Sequence, residues 1–215
     1  MKDMNSDDLL NRNPEISVDS RDIRNDVEIE AKLQEPFAEQ VVSSEAIFFG
    51  QVFQVEKLQV TVEHGEDQSR ELVRHSGGAC ILAVDRDGRI VFEKQYRVAA
   101  GQALYELPAG KIEPGEDPLV CAKRELEEET AYRGKHWELL SAHYPTPGYC
   151  TERIYVYLAT DLEPGVRNLD PHEDVTVFSL SLEEAIHWIR TGKIIDAKTI
   201  IGVLTYALKL RQLDA

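Results

Sequence analysis

Cysteine is scarce in this 215-residue chain: Cys80, Cys121 and Cys150 are widely spaced, odd in number and form no CxxC pair. That spacing offers no disulfide or zinc framework. Cys80 lies in an apolar run and Cys121 in a helical pattern, so buried, reduced thiols are expected. Long hydrophobic runs are also missing. Nothing approaches eighteen apolar residues, and the start lacks the apolar core of a signal peptide, so the protein is expected to be soluble and cytoplasmic. Basic residues are outnumbered, 24 Lys and Arg against 39 Asp and Glu, for a formal charge of −15 and a pI of about 4.8. A surface of that sign repels nucleic acid and anionic membranes, so neither is expected as a partner. Any phosphate the chain binds needs a local cationic device, most simply a divalent metal. No internal repeat is visible. What is present is a 42% hydrophobic fraction, enough for a real core.

Residues 1–44 are acidic, rich in Asn, Asp and Ser, and show no sustained period. They are expected to form a flexible tail, with a short helix around Glu28–Gln34 as the one local exception. From Ala46 the texture turns to β. Phe48–Val55 and Lys57–Glu63 alternate, His64-Gly65-Glu66-Asp67 marks a turn, and Ser69–His75 reads as the returning strand, giving a β unit over 45–76. After Gly77-Gly78, the run Ala79–Val84 is a buried central strand, and Asp85-Arg86-Asp87-Gly88 turns into a strand over Ile90–Tyr96. Helical periods cover Pro118–Thr130, Leu182–Arg190 behind a Ser181/Glu184 capping box, and Thr199–Leu213, with strands at Tyr155–Ala159 and Val175–Leu180. This order predicts an α/β sandwich over 77–213.

The stretch Arg124-Glu125-Leu126-Glu127-Glu128-Glu129 stacks four glutamates in five positions. Like charges one helical turn apart cost roughly 0.2–0.5 kcal/mol per pair. Asp117 followed by Pro118 makes a good helix start. At 100° per residue Leu119, Ala122, Leu126 and Thr130 then face the core, while Lys123 and Glu127 face water. Glu125, Glu128 and Glu129 share a third face. A solvated acidic helix would explain a bare EExxE. Here Gly110, Pro114 and Gly115 build a tight loop upstream and Glu116 adds a carboxylate, an arrangement suited to Mg²⁺ or Mn²⁺.

The segment resembles the box of the Nudix hydrolases, G-x5-E-x7-R-E-U-x-E-E-x-G-U with U apolar. Gly110, Glu116, Arg124, Glu125, Leu126, Glu128 and Glu129 fall in register, Tyr132 takes the last apolar slot, and Ala131 replaces the second glycine. Alanine there either adopts positive φ at a cost on the order of 1 kcal/mol or lets the helix run on toward Gly134. The resemblance implies a Nudix α/β/α sandwich with a mixed sheet. It also implies that Glu125, Glu129, Glu128 and the Ala109 carbonyl hold metal, and that Arg124 orients a glutamate by an ion pair. Such enzymes cleave a nucleoside diphosphate linked to another group, using Mg²⁺ to polarise phosphoryl oxygens and activate water.

Around the box, Gln95-Tyr96-Arg97 and Tyr105–Gly110 resemble segments of the ADP-ribose pyrophosphatase branch. Pro147 follows Ala131 by sixteen residues, as a proline does in that branch, and Thr151-Glu152-Arg153 is similar to its substrate loop. The resemblance implies a homodimer built on the N-terminal β unit, which also helps enclose the adenine. Arg97 is the candidate for phosphate, since a guanidinium contacts such oxygens bidentately. Arg70 and Glu71 either contact the base or form a plain cross-strand pair, and Tyr96 or Phe53 either stack on adenine or are core aromatics. For the general base the branch points to the loop Leu169–Asp174, in which Glu173 is the best match. Pro171 cannot act, His172 is a weaker candidate, and a box glutamate is the alternative. The expected activity is Mg²⁺-dependent hydrolysis of ADP-ribose to AMP and ribose 5-phosphate. The alternatives are another nucleoside diphosphate sugar such as GDP-mannose, a triphosphatase, or a nucleotide-sensing module without catalysis.

Overall fold

The computed structural model describes residues 39–62, 67–169 and 174–213. Residues 1–38 of the expected tail with its short helix, the turn residues His64, Gly65 and Glu66, and the candidate bases Glu173 and His172 lie outside them.

Strands β1 (Gln40–Phe49), β2 (Phe53–Thr61) and β3 (Gln68–His75) form an antiparallel sheet in the order β1-β2-β3. The stretch Phe48–Val55, read from its alternation as one strand, is instead the β1–β2 hairpin: Gly50-Gln51-Val52 is its turn, and Gly50 N–H donates to Phe53 O at 3.0 Å. Strand β1 begins at Gln40, within the region assigned to the tail. Its residues are exposed throughout, so it lacks the one-sided alternation from which a strand is read.

Four strands follow: β4 (Gly78–Ala83), β5 (Ile90–Arg97), β6 (Gln102–Glu106) and β7 (Ala109–Lys111). Helix α1 (Pro118–Thr130) leads to β8 (Tyr132–Arg133), β9 (His136–His143), β10 (Ile154–Thr160), β11 (Glu163–Pro164) and β12 (Val175–Leu180). Helices α2 (Leu182–Arg190) and α3 (Ala197–Leu213) end the chain. A mixed sheet runs β7-β4-β10-β9, with β4 and β10 parallel, and a second sheet runs β12-β5-β6. Strand β4 is buried along its whole length and splits its side chains between two cores. Ala79, Ile81 and Ala83 pack with Cys121, Ala122 and Leu126 of α1. Cys80 and Leu82 pack with Leu107, Val156 and Val203 on the α3 side. Helices thus cover both faces, which is the expected α/β/α sandwich. Cys80 and Cys121 are free and buried.

Helix α1 starts as its sequence dictates, with the Asp117 carboxylate accepting from Leu119 N–H at 2.8 Å and Pro118 in the first turn. At its end Ala131 takes φ 61°, so the positive-φ alternative is realised and the helix stops. Its last carbonyls are met by the segment after β11. Gly165 N–H donates to Ala131 O at 2.7 Å and Asn168 N–H to Glu128 O at 2.9 Å, while Arg167 Nε donates to Glu129 O at 2.8 Å. Arg167 Nη2 reaches Val175 O at 2.6 Å, fastening the helix end to β12. Glu127, expected to be plain solvent decoration, joins this fastening: it pairs with Arg133 at 2.5 Å and accepts from Val166 N–H at 3.1 Å.

Candidate active site

Strand β7 and helix α1 pack against each other, and their contact fixes the glutamates. Gly110 lies directly under Glu125, and a Cβ added there would fall 1.9 Å from the Glu125 carboxylate. The absence of a side chain at Gly110 is thus what lets Glu125 lie on the strand. One turn on, Glu129 is buried, 4% exposed, and its Oε2 accepts from Ala109 N–H at 3.0 Å. Glu125, Glu128 and Glu129 line a cavity of about 730 Å³ together with Arg97 and Asn168. The three-residue face read from helical spacing is real, and Glu127 is not part of it.

Arg124 sits among these carboxylates. Its Nε and Nη2 donate to Glu116 at 3.0 and 3.1 Å, and its Nη1 to Glu125 at 2.6 Å and Glu128 at 3.1 Å. The hydrogen bond from Arg124 holds the Glu116 carboxyl below the usual range, and Glu116 in turn raises the guanidinium above its own. Arg124 thus bonds three glutamates at once, Glu116, Glu125 and Glu128.

Beside the large cavity lies a smaller one of about 240 Å³, which shares His75, Arg97 and Lys111 with it and adds Glu152 and Lys198. The N-terminal sheet is docked here. Val73 exchanges backbone bonds with Tyr149 O and Thr151 N–H at 2.7 and 2.9 Å, and His75 Nδ1 stands 3.6 Å from Glu152. Arg97, at the end of β5, makes a bidentate pair with Glu106 of β6 at 2.8 and 3.1 Å. Burial pushes the Glu106 carboxyl up, but the hydrogen bond from Arg97 and the charge of Lys198 outweigh it, and the carboxyl ends below its usual value.

Hard oxygen donors from Glu125, Glu128 and Glu129 on one cavity wall suit a divalent cation of the magnesium class. Among the described residues no three His, Cys, Asp or Glu side chains are already gathered as a metal cluster. Glu125 and Glu128 instead engage Arg124, and Glu129 engages the Ala109 amide. The donor set fits such an ion, with these bonds as its competitors.

A sequence model of the NUDIX domain matches residues 74–200. The chain belongs to the Nudix family. Along its length it is 38% identical over 169 residues to the methanol dehydrogenase activator of Bacillus methanolicus, covering 78% of this chain and 91% of that protein. It is 37% identical over 173 residues to the ADP-ribose pyrophosphatase of Bacillus subtilis (strain 168), covering 80% and 94%. A solved structure of an ADP compounds hydrolase superposes with a TM-score of 0.74 at 18% identity, over 84% of this chain and 98% of that one, and shares the fold. Nudix ADP-ribose pyrophosphatases generally use a divalent metal.

Seen on the Nudix frame, Ala109, Arg124, Glu125, Glu128, Glu129 and Arg97 come together at one cavity, with Glu152 at its neighbour. Two other expected residues do not join them. Arg70 pairs with Glu39 at 2.5 Å on the surface of the N-terminal sheet, and Pro147 is exposed in the loop before Cys150. Neither lines either cavity. Tyr96 and Phe53 are 63% and 42% exposed, so neither is a core aromatic. The sequence reading gave no role to Lys198, His75, Asn168 or Arg167. Lys198 escaped because α3 begins at Ala197, two residues before the expected start; Asp196 ahead of it was the available signal, its Oδ2 accepting from Thr199 N–H at 3.0 Å. Among the described residues no helix is long and apolar enough to cross a membrane.

Proposed function

We propose that this Nudix hydrolase cleaves the diphosphate of ADP-ribose, yielding AMP and ribose 5-phosphate, with Mg²⁺ as the working metal and Mn²⁺ as its substitute. The observation that carries the reading is the large cavity, lined by three helix glutamates and by an arginine held by a buried carboxylate. The relative named ADP-ribose pyrophosphatase supports the choice of substrate, since its likeness extends over 94% of its length.

Glu125, Glu128 and Glu129 would hold the metal, with the Ala109 carbonyl beside them. Bound there, Mg²⁺ supplies positive charge against the phosphoryl oxygens and acidifies water. The chain's own residues do the rest. Arg97 binds diphosphate oxygens, Arg124 keeps the glutamates oriented, and Glu152 and Pro147 belong to the loop that borders the sugar. Water attacks one phosphorus, its proton passes to Glu173, and the bridging P–O bond breaks toward the other phosphate. Glu173 is assigned from sequence alone.

Arg70 lines neither of this chain's cavities and sits on a sheet whose first strand exposes Val41, Val42, Ile47, Phe48 and Phe49. A homodimer formed through that sheet would cover these residues and give Arg70 a role toward the adenine in the assembled enzyme. The reaction is placed in the cytoplasm, and no nucleic acid or membrane partner is proposed. The test is a side-by-side panel of nucleotide sugars, dinucleotides and triphosphates with Mg²⁺. AMP release from ADP-ribose with the highest kcat/KM is expected; faster turnover of GDP-mannose or of a triphosphate removes the substrate assignment.

A further inference from the structure

Beneath Arg97 is a chain of charges that runs from the substrate-facing wall into the start of the C-terminal helix. Arg97 is 41% exposed at its side chain, whereas Glu106, which it grips, is 3% exposed. Glu106 Oε2 also accepts from Lys198 Nζ, and Lys198 Nζ reaches Asp196 Oδ2 at 3.0 Å. Asp196 accepts from the Thr199 amide, and the fully buried Thr199 hydroxyl accepts from Leu107 N–H at 2.8 Å, next to Glu106. Two cations and two anions thus alternate without surplus charge, and the Asp196 end of the chain is pinned to the backbone of Thr199.

We propose that Glu106 and Lys198 are positioning residues for Arg97: with Nε and Nη2 taken by Glu106, and Glu106 itself fixed by Lys198, the guanidinium plane is set so that Nη1 meets a substrate phosphate in the shared wall of the two cavities. The inference rests on the reading of Arg97 as a phosphate contact. Its physical basis is the rigid fork of arginine. Two donors on one carboxylate fix the plane, and the third nitrogen then has one direction. A carboxylate held by Arg97 alone keeps a pivot. A second cation on the same oxygen removes it and balances a charge that would otherwise be buried with one partner. The geometry also gives a role to the C-terminal helix, which contributes nothing to the glutamate face but begins at the smaller cavity with Lys198. Burial lowers the Lys198 ammonium, but Asp196 and Glu106 outweigh that and hold it protonated.

The test uses the full-length enzyme with Lys198→Met, which keeps length and loses charge, and Lys198→Arg, which keeps charge. Lys198→Met is expected to raise KM for ADP-ribose about tenfold with kcat held within about threefold, and Lys198→Arg to recover most of that loss. A second readout does not depend on the substrate: the arginine Nε–H resonance of Arg97, identified by its loss in Arg97→Lys, is expected to be sharp in wild type and to shift and broaden in Lys198→Met. If Lys198→Met does not fold, Glu106→Gln takes its place, with the same resonance and KM read. Wild-type enzyme inert toward ADP-ribose overturns the functional reading and leaves the resonance to decide the positioning role. An active wild type with an unchanged KM and an unmoved resonance in the variant overturns the positioning role alone. A fall in kcat at constant KM also overturns it, because that pattern belongs to the reacting atoms and not to phosphate capture.

Discussion

Replacing Gly110 by alanine is the most direct way to ask whether the glutamate face is the working site. The backbone φ at Gly110 is not in the left-handed region, so alanine brings no conformational strain of its own. The added Cβ would stand 1.9 Å from the Glu125 Cδ and Oε1 and 2.5 Å from its Oε2. That is about 1.5 Å inside ordinary van der Waals contact, and the strand and helix backbones are locked by the cores on either side. What yields is the side-chain end of Glu125, which must swing off the strand and loosen its 2.6 Å bond with Arg124. The fold should survive, at a cost of about 1–3 kcal/mol for overpacking. The site should not, because misplacing a working group by about 1 Å costs on the order of 10²-fold in rate. Gly148→Ala is the control: a Cβ there meets nothing within 4 Å. The assay is steady-state ADP-ribose hydrolysis across a Mg²⁺ titration, with Tm measured in parallel. A folded Gly110→Ala with wild-type kcat and wild-type metal dependence refutes the reasoning, since Glu125 would then be displaced without consequence.

Three other outcomes are expected. Arg167→Ala removes bonds of 2.8 and 2.6 Å to Glu129 O and Val175 O, and should lower stability in urea by about 1–3 kcal/mol; an unchanged midpoint counts against the clamp. Because the folded Glu106 carboxyl is held below its usual value, the unfolded chain takes up its proton first as pH falls. Glu106 therefore contributes stability above the ordinary glutamate range that is lost on acidification, and wild type should lose its advantage over Glu106→Gln there; a difference independent of pH would falsify this. Light scattering should find a dimer, and Phe49→Asp, on the 70% exposed end of β1, should yield monomer; a monomeric wild type ends the dimer proposal.

What the sequence made legible was whatever carries a local period. The helices Pro118–Thr130 and Leu182–Arg190 match their expected bounds, because a proline, caps and a 3.6-residue apolar stripe all agree there. Strand β4 was equally readable as an unbroken apolar run. The N-terminal hairpin was not, since β1 is exposed on every residue and nothing in its pattern separates it from the β1–β2 turn. At the site, Glu125, Glu128, Glu129 and Arg124 follow from spacing on one helix. The group behind Arg97 does not, because Glu106 and Lys198 are 92 residues apart and meet only through the fold. Short β6 and β7 were hidden for a related reason: β7 is set by its contact with α1, and β6 by pairing with β5 and by Tyr105 packing on Phe178 and Trp188, not by alternation.

The four crowded glutamates of α1 show how function and stability share one helix. Their mutual repulsion is relieved in different directions. Glu125 and Glu128 turn to Arg124, Glu129 to the Ala109 amide, and Glu127 to Arg133 and the Val166 amide on the opposite side. The last pairing secures the segment 165–168 whose donors cap the same turn, so the residue outside the cavity stiffens the platform for those inside it. Arg124 has the converse position, for each bond it gives to Glu125 or Glu128 is one that the proposed divalent ion would have to share or replace. An acidic helix without that arginine would meet the repulsion bare whenever metal was absent, and one with a basic residue on each glutamate would leave no oxygen for the ion. One guanidinium among three carboxylates lies between those limits, which is why the charge pattern fits a reversible metal site better than a surface helix.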